Sequence, residues 1–306
     1  MNVTDAPADV LRYTAFSADP GGGNPAGVVL DARGLDDAAR LAVAAEVGYS
    51  ETAFVTPAPD GAGEREFTVR YFSPLDEVAF CGHATIATAV ALGERLGPGE
   101  LLFHTQAGPI PVAVGPDGAG GGAGAGAGAG TGGHRATLTS VEPHSGPVSE
   151  ADLAEALAAL GWAPEELDPS IPPRIAFAGN DHLVLAAATR ARLAALDYDF
   201  ERLKALMVRL GLTTLQLVWR EAGGVFHVRD PFPVGGVRED PATGAAAAAF
   251  GGYVRELGIV PEEARLTLHQ GEDMGRPGEL TVDLRPGDPR VHVSGTATRI
   301  GGPHRD

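Results

Sequence analysis

Apolar residues recur along the chain with two different periods. Asp36–Val47 carries them at helical spacing, whereas Phe67–Phe72 alternates apolar and polar positions as a strand does. In the first half the pattern predicts strands at Val10–Phe16, Val28–Leu30, Glu51–Val55 and Phe67–Phe72, and helices at Asp36–Val47 and Ala84–Leu96. In the second half it predicts strands at Arg174–Phe177, Leu183–Ala187, Leu215–Arg220 and Val225–Arg229, and helices at Phe200–Leu210 and Ala245–Leu257.

The two halves resemble each other. Three motifs recur in the same order: Gly23-Asn24 with Gly179-Asn180, Phe67–Arg70 with Phe226–Arg229, and Leu96-Gly97 with Leu257-Gly258. Their offsets of 156, 159 and 161 residues (179 − 23, 226 − 67 and 257 − 96) rise slowly. Such a drift is expected of a diverged duplication.

Strands and helices mix within each half, and the Ala-rich helices carry so little side chain that strands can approach them closely. The pattern therefore predicts an α+β fold of two similar pseudo-two-fold lobes, each a central helix wrapped by a curved, barrel-like sheet. Residues 115–133 are almost all Gly and Ala, which offer little to bury. We expect an N-terminal lobe at 1–115, a flexible linker or loop at 116–133 and a C-terminal lobe at 134–306. Whether the last strand returns to the first lobe is left open.

Composition narrows the choice of partner and compartment. The formal net charge is −17, and a surface of that sign repels phosphate backbones, so nucleic acid is not an expected partner. No apolar run reaches the roughly 18 residues that a spanning helix needs, and the N-terminal residues do not follow the pattern of a secretory signal. The single cysteine, Cys81, fits a reducing compartment. We therefore expect a cytoplasmic protein with no membrane partner.

The first candidate for a functional site is Cys81-Gly82-His83, where a loop enters an Ala-rich helix. Unpaired backbone N–H groups and the positive end of the helix dipole point outward at such a place, and Gly82 lets a ligand approach. This arrangement favours a cradle for a carboxylate or a phosphate. A helix start also needs caps and glycine for purely structural reasons, so the segment alone does not decide between the two.

Two further segments carry acidic groups. Asp240 lies in a second loop that enters an Ala-rich helix and, at the repeat offset of 159, falls opposite Cys81. Two helix starts are then expected to face one cleft between the lobes and to hold a carboxylate without an arginine. The alternative for Asp240 is an ordinary capping aspartate. Glu51 opens an apolar strand directly after a helix and would suit proton transfer if it lay in that cleft, although a lone glutamate is usually a surface residue.

Other kinds of site are not supported. Gly21-x-Gly23-x-x-Ala26 resembles the dinucleotide fingerprint, but Pro25 and the apolar run after it predict a strand where the fingerprint needs a helix. The nine histidines are scattered and no second cysteine is present, so a zinc site is not expected. The sequence also contains neither a Gly-x-Ser-x-Gly elbow nor a phosphate-loop lysine motif. We therefore expect no metal and no cofactor.

Taken together, these segments resemble the motifs of PhzF-like proteins of phenazine biosynthesis. The matching segments occur in the same order as in that family. They are Phe16–Leu30 with its Gly23-Asn24-Pro25, Ser50–Val55, Cys81–Thr85, Asp240–Gly244, and Gln270-Gly271 followed by Met274–Pro277. The resemblance covers nearly the whole chain apart from the Gly/Ala tract. It implies the diaminopimelate-epimerase fold, a cleft between lobes, no cofactor and a homodimer.

The resemblance also implies a reaction, the isomerisation of trans-2,3-dihydro-3-hydroxyanthranilate by a proton shift from carbon to carbon. The family's acid/base glutamate maps onto Glu51, its active-site histidine onto His83 and its aspartate onto Asp240. Where the family often has a serine after Asp-Pro-Ala-Thr-Gly, this chain has Ala245, which leaves the exact substrate open. We expect a small carboxylate-bearing substrate, bound by Asn24, Cys81, Gly82, Thr243, Gly244 and Ala245.

Two other functions stay open. An amino-acid epimerase or racemase of the same fold would use Cys81 with a carboxylate, because a chain with one cysteine cannot supply two thiols. A non-catalytic ligand-binding homologue is favoured by Ala245. The joint presence of Glu51, His83 and Asp240 argues against that reading.

Overall fold

The computed structural model describes residues 9–58, 62–117 and 133–301. These residues form two compact units. Unit 1 comprises 9–21, the described part of 25–138, and 295–301, whereas unit 2 comprises 22–24 and 139–294.

Unit 1 is a sheet with two helices. Its elements are β1 (Val10–Ala15), β2 (Asn24–Val29), α1 (Asp37–Val47), β3 (Glu51–Pro57), β4 (Glu66–Phe72), β5 (Glu77–Val78), α2 (Gly82–Leu96), β6 (Gly99–Thr105), β7 (Gly108–Pro116) and β8 (His134–Thr139), of which only Asn24 and Thr139 are assigned to unit 2. β2 pairs with β3 in parallel, β3 with β4 antiparallel, and β4 with β6 in parallel. β6, β7 and β8 continue the sheet as antiparallel neighbours.

Unit 2 repeats this plan. Its elements are β9 (His144–Pro147), α3 (Glu150–Leu160), β10 (Arg174–Phe177), β11 (Asp181–Ala186), α4 (Arg190–Ala194), α5 (Phe200–Leu210), β12 (Leu212–Ala222), β13 (Val225–Pro231), β14 (Glu239–Asp240), α6 (Gly244–Glu256), β15 (Ala264–Gln270), β16 (Gly278–Leu284) and β17 (Val291–Arg299). β11 pairs with β12 in parallel, β12 with β13 antiparallel, and β13 with β15 in parallel. β15, β16 and β17 are antiparallel neighbours. The same sequence of pairings in both units confirms the predicted similarity of the two lobes.

The last strand contributes to both units. Near its start, β17 pairs with β16, with Ser294 opposite Thr281. Near its end it pairs with β1, with Arg299 opposite Tyr13. From Gly295 onward the chain is therefore part of unit 1.

The predicted lobe boundary at residues 116–133 is corrected. β7 and β8 are antiparallel neighbours in which Pro116 lies opposite His134, and the Asp117 N–H donates to the Gly133 carbonyl at 2.9 Å. Because this ladder holds both ends of the Gly/Ala tract on one sheet, the tract joins two strands of unit 1. The units instead part between Leu138 and Thr139. Residues 118–132 lie outside the described residues, so the flexibility of the tract stays a prediction.

Each sheet surrounds one helix, as predicted for the α+β class. α2 contacts β1, β3 and β7, and α6 contacts β9–β12 and β16. A Cβ added at Gly93 of α2 would lie 2.5 Å from Val114 Cγ1 on β7, and one added at Gly251 of α6 would lie 2.6 Å from Val282 Cγ1 on β16. Small residues are thus what lets the strands approach so closely. Within the described ranges, no helix has the length and apolarity to cross a bilayer.

Element ends differ from the sequence pattern for local reasons. β1 ends before Phe16, which has a positive φ of 64° and so leaves the extended conformation. α3 and α4 were not predicted, although Ser149 and Thr189 cap their first turns with side-chain oxygens. α5 has the predicted bounds, and its helical pattern of apolar residues faces a core formed with α3 and β12.

Candidate active site

Glu51 is the first residue of β3. Gly48, the C-cap of α1, has a φ of 71° that turns the chain, and only two residues separate it from the strand. β3 then pairs with β2, with Glu51 opposite Ala26. The Glu51 side chain is 13% exposed, so this glutamate is largely removed from solvent and is not a surface residue.

The start of α2 is held by a short chain of hydrogen bonds. The Thr85 hydroxyl donates to the Cys81 carbonyl at 2.7 Å and lies 2.7 Å from the Tyr71 hydroxyl. Cys81 is the N-cap of the helix, yet its side chain makes no capping bond, and Gly82 is the first helical residue. The first-turn N–H groups therefore lack a capping side chain from the helix itself.

The fold brings Glu51, Cys81 and His83 together, and we call these three residues the Glu–Cys–His cluster. Cys81 Sγ donates to Glu51 Oε2 over 3.5 Å and lies 3.3 Å from His83 Nδ1. His83 Nε2 lies 3.4 Å from the same Glu51 oxygen and 3.4 Å from Ser50 Oγ. One potential ligand atom from each member lies within 4.8 Å of the others. β3 supplies Glu51 from a distant part of the sequence, so Cys81 has neighbours of the kinds that can bind a metal. The expectation of no metal stays a prediction.

Asp240 lies in unit 2, at the end of β14, and is buried. Asn24 Nδ2 donates to its Oδ1 at 2.7 Å, and the Thr243 hydroxyl donates to its Oδ2 at 2.6 Å. Asn24 Nδ2 also donates to the Ala242 carbonyl at 3.0 Å. Both oxygens of the carboxylate thus accept a hydrogen bond, which fixes its orientation.

Gln270 completes this group and was not among the predicted site residues. Its Oε1 accepts from the Thr243 N–H at 3.0 Å, and its Nε2 donates to the Asp240 carbonyl at 2.8 Å. Arg276 donates to the carbonyls of Gly22 and Gly23 at 2.8 and 2.9 Å, which positions the segment just before Asn24. In the sequence, Gln270 and Arg276 belong to the C-terminal Gln-Gly and Gly-Arg-Pro motif. The sequence alone did not indicate the function of this motif.

The predicted match between Asp240 and Cys81 is corrected by the start of α6. Thr243 is the N-cap of this helix and Gly244 its first residue, so the residue equivalent to Cys81 is Thr243, at an offset of 162. Asp240, paired with Asp230 across the ladder, corresponds to Val78, which is paired with Tyr71. The offset is 159 residues between the matched strands and 162 residues between the helix starts. It grows by three residues because the connection before α6 is longer than the one before α2.

An equivalent ion pair precedes each helix start. The Arg70 guanidinium on β4 makes two hydrogen bonds to Glu77 on β5, and the Arg229 guanidinium on β13 makes two to Glu239 on β14. Each pair joins the strand to the short element before its helix. The two helix starts are therefore supported in the same way within their own units.

Asp230 is a buried acid that the sequence did not single out. It lies opposite Asp240 in the β13–β14 ladder, and with its amide nitrogen turned inward Gln216 donates to both Asp230 oxygens, at 2.8 and 3.0 Å. Burial raises the pKa of Asp230 well above its ordinary value, and the nearby Asp240 carboxylate adds to the rise, against hydrogen bonds from Thr243 and Gln270 that lower it. Burial beside a second carboxylate therefore disfavours the ionised form of Asp230.

The predicted site residues fall into two groups. Glu51, Cys81, Gly82 and His83 lie in unit 1, and Asn24, Asp240, Thr243, Gly244 and Ala245 lie in unit 2. Contacts bring Glu51, Cys81 and His83 together, and separately Asn24, Asp240 and Thr243. The convergence of the two groups on one cleft stays a prediction.

Comparison with known families identifies the family of this chain. The family model described as phenazine biosynthesis-like protein matches residues 13–301. The chain belongs to the PhzC-PhzF family. Among curated relatives, it is similar to an isomerase without an assigned reaction from Deinococcus radiodurans, at 33% identity over 96% of this chain and 92% of that protein. It is similar also to the isomerase YddE of Escherichia coli, at 30% identity over 94% and 95%.

Solved structures agree with this assignment of the PhzF-type chain. A PhzF-family protein of Bacillus anthracis superposes with a TM-score of 0.80 and 25% identity, over 95% of this chain and 96% of that one. A hydroxyproline epimerase of Agrobacterium vitis superposes with a TM-score of 0.61 at 14% identity, over 95% and 89%, which shows a shared fold. This protein is therefore an isomerase of the PhzF type with an epimerase-like fold.

Proposed function

We propose that this PhzF-type protein is a cofactor-independent isomerase that moves a proton between carbons of a small carboxylate-bearing substrate, similar to trans-2,3-dihydro-3-hydroxyanthranilate. The observation that carries the proposal is the largely buried Glu51 carboxylate beside His83 and Cys81. A carboxylate in this setting can accept a proton from an activated carbon and return it to another. Glu51 is therefore the proposed acid/base.

His83 would support the proton transfer. Its Nε2 lies 3.4 Å from Glu51 Oε2, close enough to orient the carboxylate or to share its proton. One positioned base contributes roughly 10²–10⁴-fold to a rate. The low exposure of Glu51 and His83 slows exchange with solvent, so part of the proton removed is returned to the substrate while the rest is replaced from solvent.

The substrate carboxylate would bind to helix N–H groups. α2 and α6 have no N-cap side chain bonded to their first turns, whereas the other four described α-helices are capped by Asp36, Ser149, Thr189 and Asp199. In the proposal, the N–H groups near Gly82, His83, Gly244 and Ala245 hold the anion. The Asp240 carboxylate, oriented by Asn24 and Thr243, would accept a hydrogen bond from a substrate amine or hydroxyl.

The remaining parts of the proposal rest on composition and on family resemblance. We infer a role in secondary-metabolite biosynthesis, a cytoplasmic location and a homodimer. Size-exclusion chromatography with light scattering tests the dimer, and a monomer at every concentration would contradict it.

Deuterium uptake tests the proposed reaction. Incubating trans-2,3-dihydro-3-hydroxyanthranilate and related cyclic amino acids in heavy water, with NMR detection, should show isomerisation or exchange at carbon. Glu51→Gln keeps the shape but cannot accept the proton, so turnover should fall by roughly 10²–10⁴-fold while binding persists. Glu46→Gln, on the exposed face of α1, is the matched control and should keep full activity. Unchanged turnover in Glu51→Gln would contradict the assignment, and neither isomerisation nor exchange in the unaltered protein with any carbon acid would favour a non-catalytic binding function.

A second candidate is an amino-acid epimerase or racemase that uses Cys81. The specific observation in its favour is that Cys81 Sγ has both Glu51 and His83 within 3.5 Å, so a base lies next to the thiol. In that case Cys81→Ser would abolish loss of the α-proton from an amino acid. The isomerase proposal predicts a mild effect of the same change.

A further inference from the structure

The Glu–Cys–His cluster combines a carboxylate, a thiol and an imidazole, the three side-chain types that bind Zn²⁺ most often in proteins. We propose that these three residues form a Zn²⁺ site and that Zn²⁺ bound there inhibits the enzyme. The metal site is independent of the reaction. The inhibition rests on the proposed function of Glu51.

Two of the three distances between the ligand atoms are those of a tetrahedral site. Zn–S bonds of about 2.3 Å, with Zn–N and Zn–O bonds of about 2.0–2.2 Å, place tetrahedral ligands about 3.3–3.6 Å apart. Here Cys81 Sγ and Glu51 Oε2 are 3.5 Å apart, and His83 Nε2 and Glu51 Oε2 are 3.4 Å apart. The third edge, from Cys81 Sγ to His83 Nε2, is 3.8 Å. Cys81 Sγ lies nearer to His83 Nδ1, at 3.3 Å, than to Nε2, so one ion can contact all three once the His83 ring turns to direct Nε2 at it.

The donor types select the metal. A thiolate and an imidazole favour Zn²⁺ over Mg²⁺ and Ca²⁺, which prefer sets made only of oxygen ligands. Burial of Cys81 and His83 excludes competing water. The Thr85 hydroxyl, bonded to the Cys81 carbonyl, holds the ligand-bearing backbone in place as outer-shell groups do around metals. Three protein ligands leave a fourth position for water or an anion.

Binding would block the proposed reaction in a defined way. The thiol loses its proton to solvent as the Zn–S bond forms, and one Glu51 oxygen becomes a ligand of the ion. A coordinated carboxylate is no longer available to accept the substrate proton. Zn²⁺ should therefore reduce proton exchange at one ion per chain, and a chelator should restore it.

Titration with Co²⁺ measures metal binding at this site without any assay of activity. Because the chain has a single cysteine, a thiolate-to-Co²⁺ charge-transfer band can arise only from Cys81. Chelator-treated protein should develop this band at one Co²⁺ per chain and lose it when Zn²⁺ is added. Cys81→Ser and Cys81→Ala should lack the band, and Glu51→Gln and His83→Gln should each weaken Co²⁺ binding by more than about tenfold.

A second histidine–carboxylate group provides the matched control. His227 contacts Glu272 and Glu221 at 2.7 and 3.1 Å, but no thiol is available there, so His227→Gln should leave the band and the affinity unchanged. Absence of the band in the unaltered protein would overturn the site, and so would a Co²⁺ affinity in Glu51→Gln or His83→Gln equal to that of the unaltered protein. Circular dichroism of each variant shows that it is folded.

The inhibition is tested separately by deuterium exchange in chelator-treated protein with and without Zn²⁺. Exchange that continues unchanged, or accelerates, with the site occupied would overturn the inhibitory effect. If the Co²⁺ band appears and no substrate exchanges even without metal, the proposed function fails while the metal site stands.

Discussion

The thiol of Cys81 lies 3.5 Å from the carboxylate of Glu51, although 30 residues separate them in sequence. Glu51 comes from the start of a strand, and Cys81 from the start of the helix that this strand contacts. The fold therefore places two groups that can each carry a proton, the thiol and the carboxylate, next to each other. Their relative importance can be measured by replacing them one at a time.

Cys81→Ser should have a small effect on the isomerase. The hydroxyl can still donate to Glu51, and in the proposed mechanism the thiol transfers no proton, so kcat should change by less than about tenfold. The measurement is steady-state turnover of trans-2,3-dihydro-3-hydroxyanthranilate beside Glu51→Gln. Near-complete loss in Cys81→Ser, with activity kept in Glu51→Gln, would identify the thiol as the base.

Ala245→Ser should alter substrate affinity with little effect on stability. Ala245 is the second residue of α6 and is partly exposed, so a hydroxyl fits. Serine costs a helix no more than about 0.5 kcal/mol relative to alanine, and one added hydrogen bond changes binding by roughly two- to tenfold. KM for hydroxylated and non-hydroxylated substrates, measured with both proteins, tests this. If the ratio of KM for hydroxylated substrates to KM for non-hydroxylated substrates is the same in both proteins, position 245 does not contact the substrate.

Asp230 should make stability depend on pH. Its pKa is raised above the ordinary 3.8 by burial and by Asp240, so between these two values the folded protein binds more protons than the unfolded chain. Its contribution therefore becomes less favourable as pH rises from about 4 to the folded-state pKa, and is constant above it.

Asp230→Asn removes this titration while nearly preserving shape. Melting temperatures of both proteins should be compared from acid to neutral pH. As pH rises, the melting temperature of Asp230→Asn should increase relative to that of the unaltered protein. Asp283→Asn, which removes an acid on β16, serves as the control. Parallel curves for the Asp230 variant and the unaltered protein would show that the carboxyl stays ionised.

The Gly/Ala tract should tolerate shortening. Asp117 and Gly133 are joined by a backbone hydrogen bond of 2.9 Å, so a short turn can replace residues 118–132 without displacing β7 or β8. Closing a shorter loop costs less entropy, by about 1 kcal/mol. The melting temperature should therefore stay equal or rise slightly, and a large fall would show that the tract makes stabilising contacts.

Much of the fold followed from local sequence. The Ala-rich runs predicted both central helices, α5 has its predicted bounds, and the recurring motifs predicted two similar lobes because each motif marks the same element in both halves. The motifs around Glu51, His83 and Asp240 placed the chain in its family before any contact was known. These features depend on nearest neighbours along the chain and on the order of segments, which a sequence states directly.

Tertiary structure decided the rest, because contacts across a ladder depend on register and connection length. Three additional residues before α6 make Thr243 the counterpart of Cys81 and leave Asp240 opposite Asp230. The pairing of β7 with β8 places the Gly/Ala tract inside one unit. The meeting of Glu51 with Cys81 requires β3 to begin beside the start of α2, a relation between distant segments that no local pattern contains.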